Sequence, residues 1–273
     1  MQSTIMIGTS GYSYGDWVGT VYPSGCSPRD FLSLYARSFS CTELNFTYYR
    51  YPEPRTMERM LRVVGDDFRF AVKGHQSLTH QPDADCAETA RRFREGIAPL
   101  IEAGQLTAVL LQFPFSFHYT APNRTRLDAL CRAFDTIPLA LEFRNNEWQR
   151  DSVIGGLTQR GVALVNVDGP LLPGLPRPTS LVTAPLGYVR FHGRNAANWW
   201  SGDTASRYDY LYTEDDLSPW VSRIGSMAAG ASRGVMVMFN NHWRGQAVQN
   251  ACQLSTLLGG VVAKGTARQG EAV

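Results

Sequence analysis

The chain has 273 residues, 44% hydrophobic and 18% charged, which excludes a disordered protein and fits one folded domain in the size range of a single α/β barrel. A formal net charge of +2 speaks against recognition of long nucleic acid through bulk electrostatics and leaves a local basic patch open. Cys26, Cys41, Cys86, Cys131 and Cys252 are odd in number and widely spaced without a C-x-x-C pair, so they read as free thiols rather than a disulfide framework or a zinc site.

The N-terminal stretch MQSTIMIGTS lacks a basic n-region and a long apolar h-region. No segment approaches the ~18 uninterrupted apolar residues of a membrane span. The expectation is a cytoplasmic protein without membrane partners, with its oligomeric state left open.

Taken in order, the runs TIMIG, CTELNF, FRFAVKG, AVLLQF, LALEF, VALVNVDG, YVRFHG and GVMVMFN give eight candidate strands. Their near-continuous apolar character suits parallel strands covered on both faces. Helical patterns lie between them. Ala90, Phe93, Ile97, Leu100 and Ile101 repeat at three-or-four spacing, with Gly104 as a stop. Asn123 is positioned to cap a helix holding Leu127, Leu130 and Phe134. Thr213 followed by Glu214, Asp215 and Asp216 makes a good N-cap and first turn, which places Pro219 within the first turn or two. Eight strands alternating with helices predict a single (β/α)8 TIM barrel over residues 1–260. The end of the chain, KGTARQGEAV, offers no large apolar residue, so 261–273 is expected to be a flexible tail.

Strand alternation then sorts each run into two faces. With Phe68, Phe70 and Val72 facing the helices, Ala71 and Lys73 face the barrel axis. The same parity turns Gln112 inward, then Glu142 and Arg144, then Asn166 and Asp168, then Tyr188, Arg190 and His192, and earlier Glu43 and Asn45. The last strand leaves parity open, with Asn240 or Asn241 at its end. The inward polar residues come late in nearly every strand, at the C-terminal mouth where barrel enzymes do their chemistry. Such a ring either plugs the barrel or binds a ligand. Burying three carboxylates with three cations is costly compared with apolar filling, which favours the ligand.

Tyr12, Tyr14, Trp17, Tyr48, Tyr49, Trp148, Trp199, Trp200 and Trp243 all fall in segments after a strand. Flat side chains above a charged ring suit a ligand with a stackable sugar or base and an anionic group. In this scheme Arg144 and Arg190 clamp the anion. Glu142 or Glu43 with His192 serve as acid and base, Asn45, Gln112, Asp168 and Asn240 add polar contacts, and Tyr12, Trp17, Tyr49 and Trp148 stack. Lys73 is a possible Schiff-base nucleophile, although adjacent carboxylates should raise its pKa.

A metal cluster of Glu43, Glu142, Asp168 and His192 is the second reading, opposed by three cations among them. A His75–His80 ligand pair is weaker, since five residues fit neither one helical face nor one strand face. Binding of nucleic acid without turnover is the third reading, disfavoured by the near-neutral charge. No P-loop, G-x-G-x-x-G or G-x-S-x-G occurs, and no cofactor is expected.

The segments IGTSGYSYGDWVGTVYP, TELNFTYYRYPEPRTMERM, FRFAVKGHQSLTH, LLQFPFSF, LEFRNNEW, YVRFHGR, YLYTEDDLSPW and MFNNHWRGQAVQNACQL resemble, in order, motifs of the YecE-like family, a domain of unknown function. The resemblance runs from about Ile5 to Leu258 and implies a TIM barrel without an established reaction. Analogy with sugar isomerases and apurinic-site endonucleases of similar fold is what suggests a sugar or nucleic-acid role. The matching motif positions are Glu43, Asn45, Tyr49, Arg50, Lys73, Thr79, His80, Gln112, Glu142, Arg144, Trp148, Arg190, His192, Gly193 and Asn240. Tyr12, where the family often has tryptophan, the His75–Gln76 pair and NAANWW after His192 depart from that pattern.

Overall fold

The computed structural model describes residues 4–81, 85–201 and 204–260, so the tail expected at 261–273 lies outside the described residues. Eight parallel strands alternate with helices in a nearly closed (β/α)8 barrel. The strands are β1 (Ile5–Thr9), β2 (Cys41–Leu44), β3 (Arg69–Lys73), β4 (Leu106–Phe113), β5 (Leu139–Phe143), β6 (Ala163–Asp168), β7 (Gly187–Phe191) and β8 (Val235–Phe239). Hydrogen-bonded pairing follows the order β1-β8-β7-β6-β5-β4-β3-β2.

Between β1 and β2 the ladder is reduced to one bridge, Ser10 with Glu43, and a bond from Gly11 N–H to the Glu43 carbonyl of 2.8 Å. Two side chains complete this seam, and the first is Thr42, whose hydroxyl donates to the Thr9 carbonyl at 3.1 Å. The Tyr35 hydroxyl accepts from Thr9 N–H at 2.9 Å and donates to the Cys41 carbonyl at 3.1 Å. Gly8 makes room for it: a Cβ there would stand 2.3 Å from the Cys41 carbonyl oxygen and 3.0 Å from the Tyr35 hydroxyl.

The helices are α1 (Phe31–Tyr35), α2 (Pro54–Val63), α3 (Gln76–Thr79), α4 (Cys86–Glu102), α5 (Ala121–Ala133), α6 (Asp151–Arg160), α7 (Thr204–Arg207), α8 (Glu214–Gly230) and α9 (Gln246–Leu257). On α4, Ala90, Phe93, Ile97 and Leu100 are buried as their spacing predicts, whereas Ile101 is exposed. Helix α5 begins earlier than expected: Thr120, not Asn123, is its N-cap, its side chain accepting from Asn123 N–H. On α8, Thr213 and Asp216 form a reciprocal capping box, and Pro219 sits inside the helix.

No helix occurs among the described residues between β6 and β7, where the chain runs through GPLLPGLPRPTSLVTAPL instead. Asn166 of β6 fastens that crossover. Its amide donates to the Leu181 carbonyl at 2.9 Å and the Tyr188 carbonyl at 3.1 Å, while its oxygen accepts from Leu181 N–H and the Thr179 hydroxyl at 2.7 Å each. Asn166 therefore faces outward, contrary to the parity expected from sequence. Val165 and Val167 take the inward positions, packing with Ala71, Leu110, Ala140, Tyr188, Met236 and Met238 in the barrel interior. No helix among the described residues is long and apolar enough to cross a membrane.

Candidate functional site

The inward polar residues divide into two tiers, because two residues along a strand advance about 6.6 Å while keeping the same face. The lower tier is sealed. Arg190 of β7 is 1% exposed and lies between two fully buried carboxylates, 2.6 Å from Glu43 on β2 and 2.6 Å from Glu142 on β5. Tyr188 donates to the other Glu43 oxygen at 2.8 Å, and His192 Nε2 lies 3.1 Å from Glu142 Oε1. Burial by itself would raise the Glu142 pKa, but Arg190, His192 and Arg144 together hold it well below 4.5.

His192 is neutral in this setting. Its Nδ1 faces two N–H donors, Asn240 at 3.1 Å and Arg144 at 3.4 Å, which leaves the proton on Nε2 for Glu142. Burial, then the Arg144 charge, pushes its pKa down to about 3.

The upper tier lines a cavity of about 700 Å³ at the strand C-termini. Its floor carries Asn45, Lys73, Gln112, Arg144 and Asn240, and its walls are largely aromatic, with Tyr12, Tyr14, Tyr48, Tyr49, Trp199, Trp200 and Tyr208. The cations facing it are Lys73, Arg144 and Arg207, and no aspartate or glutamate is among the described lining residues. Arg144 is held by Glu142, with Nε 2.6 Å from Oε1, and its guanidinium lies 5.4 Å from the Trp199 ring centre. The Asn45 side-chain oxygen is buried and has no hydrogen-bond donor among the described residues.

Lys73 reverses its expected electrostatics. Its pKa falls from 10.5 to about 7, because burial and the Arg190 charge outweigh Glu43 and Glu142, both already engaged by Arg190. Its ammonium sits 4.4 Å from the centre of the Tyr48 ring. His80 packs edge-on with the same ring, 5.0 Å between centres, its pKa lowered to about 4 by burial and then by Lys73 and Arg144.

Four expected ligand residues lie elsewhere. Asp168 turns outward, where its oxygens pair with Arg194 at 2.7 and 2.8 Å and accept from Tyr212 and Trp220 at 2.8 Å each. It does not join Glu43, Glu142 and His192, so the four-residue metal cluster does not assemble, and no other group of three or more His, Cys, Asp or Glu among the described residues is arranged to hold a metal. Trp17 is fully buried and donates to the His242 carbonyl at 2.8 Å. Trp148 is 1% exposed and stacks on Phe143 and Phe117 at 4.6 and 5.0 Å. Both indoles are outer-layer core rather than cavity wall. Arg190, expected as half of an anion clamp, lies beneath the cavity.

Sequence reasoning did not assign Arg207, Tyr208, Phe115 or His242 to the site, and all four line it. Arg207 and Tyr208 follow the NAANWW segment, which carries no strand parity to read. His242 stacks flat on Tyr14 at 4.5 Å, a contact between two loops that lie 228 positions apart.

The model of the family described as protein of unknown function DUF72 matches residues 6–271 of the chain. The chain belongs to the DUF72 family. It is 28% identical to the UPF0759 protein YunF of Bacillus subtilis over 270 residues, covering 93% of this chain and 94% of YunF. It is 30% identical to the UPF0759 protein YecE of Escherichia coli over 174 residues, 60% of this chain and 59% of YecE. The crystal structure of a DUF72 protein from Thermotoga maritima superposes with a TM-score of 0.87 at 38% identity, covering 93% of this chain and 99% of that one. A second, from Enterococcus faecalis, gives 0.82 at 30% identity over 94% and 96%. The tiered mouth of this DUF72 barrel thus sits on a scaffold shared along nearly the whole chain with solved members.

Proposed function

We propose that this DUF72 protein binds a small anionic ligand, a sugar or nucleotide-like molecule bearing a phosphate or carboxylate, and acts on it by acid–base chemistry. The observation that supports this reading is the charge of the mouth: Lys73, Arg144 and Arg207 face the cavity, and no carboxylate is among its described lining residues. The volume of about 700 Å³ suits a monomeric ligand rather than a polymer. Asn45 presents a buried acceptor that a ligand hydroxyl or amino group would satisfy.

In this reading Glu43, Glu142 and His192 are positioning residues. Glu142 and His192 fix Arg144 by ion pair and hydrogen bond and Glu43 holds Arg190 beneath it, while Lys73 and His80 exchange protons with the ligand.

Calorimetric titration with glucose 6-phosphate and AMP, each against its neutral counterpart glucose or adenosine, tests the proposal. The phosphorylated member of a pair should bind, with a shallow salt dependence, and Arg144→Ala should weaken it about 10- to 100-fold, the worth of one charge-assisted hydrogen bond. Equal binding of the neutral compounds, or no effect of Arg144→Ala, overturns the anion site.

A further inference from the structure

Of the 26 lysines and arginines in this chain, 24 are arginine, and the two lysines are Lys73 and Lys264. Among the described residues every cation but Lys73 is a guanidinium or a histidine. At the cavity floor the sequence uses the one cationic side chain that can become a free amine. Lys73 Nζ has no hydrogen bond or ion pair among the described residues, because the carboxylates below it are occupied: Glu43 by Arg190 and Tyr188, Glu142 by Arg190, Arg144 and His192. It faces the cavity against the flat of Tyr48.

We propose that Lys73 captures a carbonyl compound, its Nζ forming an iminium with an aldehyde or ketone whose anionic group is held by the cations of the same cavity. This rests on the anion-binding reading above and specifies the substrate class.

The step balances without an external oxidant or reductant. The ammonium gives a proton to a neighbouring base, and the freed lone pair bonds to the carbonyl carbon while the C–O π pair moves onto oxygen. That oxygen takes a proton from nitrogen and a second from the protonated base, then leaves as water as the C=N bond closes. One ammonium and one carbonyl become one iminium and one water. We assign that base to His80. Its Nε2 faces the Gln112 amide N–H₂ at 3.5 Å and so carries the lone pair, and it shares the Tyr48 ring with Lys73. The Tyr48 face also stabilises the iminium, which remains cationic. An ordinary lysine at neutral pH is almost wholly protonated, whereas an amine titrating at about 7 is half free.

The test uses pyridoxal 5′-phosphate, an anionic aromatic aldehyde, as probe at pH 7, with borohydride reduction and peptide mapping of the intact protein. Lys73 should be labelled at least tenfold faster than the background seen in Lys73→Arg, whose remaining lysine is Lys264. Pyridoxine 5′-phosphate, which lacks the carbonyl, should protect Lys73, and pyridoxal, which lacks the phosphate, should label it at least tenfold more slowly. If pyridoxine 5′-phosphate binds by calorimetry while Lys73 is labelled no faster than background, carbonyl capture is overturned and the anion site stands. If pyridoxal labels Lys73 as fast as its phosphate ester, capture stands and the anion site falls.

Discussion

Glu142 and Arg144 share one face of a strand, yet one is sealed and the other lines a cavity. Their separation along the strand is what divides a charge that supports from a charge that binds. The supporting tier has a consequence for acid stability. His192 has a folded pKa of about 3 against 6.5 when unfolded, and His80 one of about 4. Both pKa values are depressed, so between 6.5 and the folded value the unfolded chain holds more protons, and stability falls as pH falls. Glu142 continues the loss below 4.5, since its carboxylate must be protonated on unfolding. Near pH 5 each histidine contributes a slope of about 1.4 kcal/mol per pH unit. Urea unfolding at pH 6.5, 5.5 and 4.5 should show the decline, and His192→Gln should reduce the slope by about one proton. A wild-type stability that is flat over this range contradicts a neutral buried His192.

At the scale of elements, β6 departs from its neighbours. Without a helix to cover it before β7, its outer face meets an irregular proline-rich crossover whose backbone groups need partners, and Asn166 supplies four bonds. Asn166→Ala is therefore expected to lower stability by about 2–4 kcal/mol through buried groups left unpaired. Hydrogen exchange should locate the damage in Thr179–Leu181 rather than at the mouth. A loss below 1 kcal/mol with unchanged exchange there would show the crossover to be held by packing alone. The same element explains where sequence was legible. Strands and their order could be read because β-runs in a covered barrel are apolar on both faces, and the parity of β2, β3, β4, β5 and β7 could be read because an inward polar or charged residue there stands among apolar neighbours. Asn166 and Asp168 repeat that signal on the opposite face. One ties down a loop and the other anchors Arg194, Tyr212 and Trp220, contacts made by residues that lie 13 to 52 positions away. Trp17 and Trp148 lie away from the mouth for a related reason: a tryptophan after a strand can cover the outer layer as readily as the mouth, and local sequence does not say which.

Closure is the property of the whole barrel, and at one seam two hydroxyls complete it, that of Thr42, which donates to the Thr9 carbonyl, and that of Tyr35. Seven strand junctions are laddered, but β1 and β2 meet with a single bridge, and the Tyr35 hydroxyl occupies the gap as acceptor from Thr9 and donor to Cys41. The ring that carries it is anchored in the outer layer, stacked on Phe39 at 4.8 Å. Burial pushes the Tyr35 phenol pKa well above 10, so it remains a donor across the stable pH range. Tyr35→Phe keeps the ring and removes the bridge, leaving a buried N–H and a weakened carbonyl pairing at the seam. Each such orphan costs about 1–3 kcal/mol, so the expected loss is about 2–4 kcal/mol in urea unfolding. Tyr49→Phe, at a ring 66% exposed, should change stability little. Because Ser10 and Glu43 sit directly above this seam, opening it should also loosen the Arg190 tier that rests on both. Thr9 amide exchange should then accelerate together with the acid sensitivity of the fold. If Tyr35→Phe is as stable as the wild type and Thr9 stays protected, the seam is closed by backbone and side-chain packing without the hydroxyl.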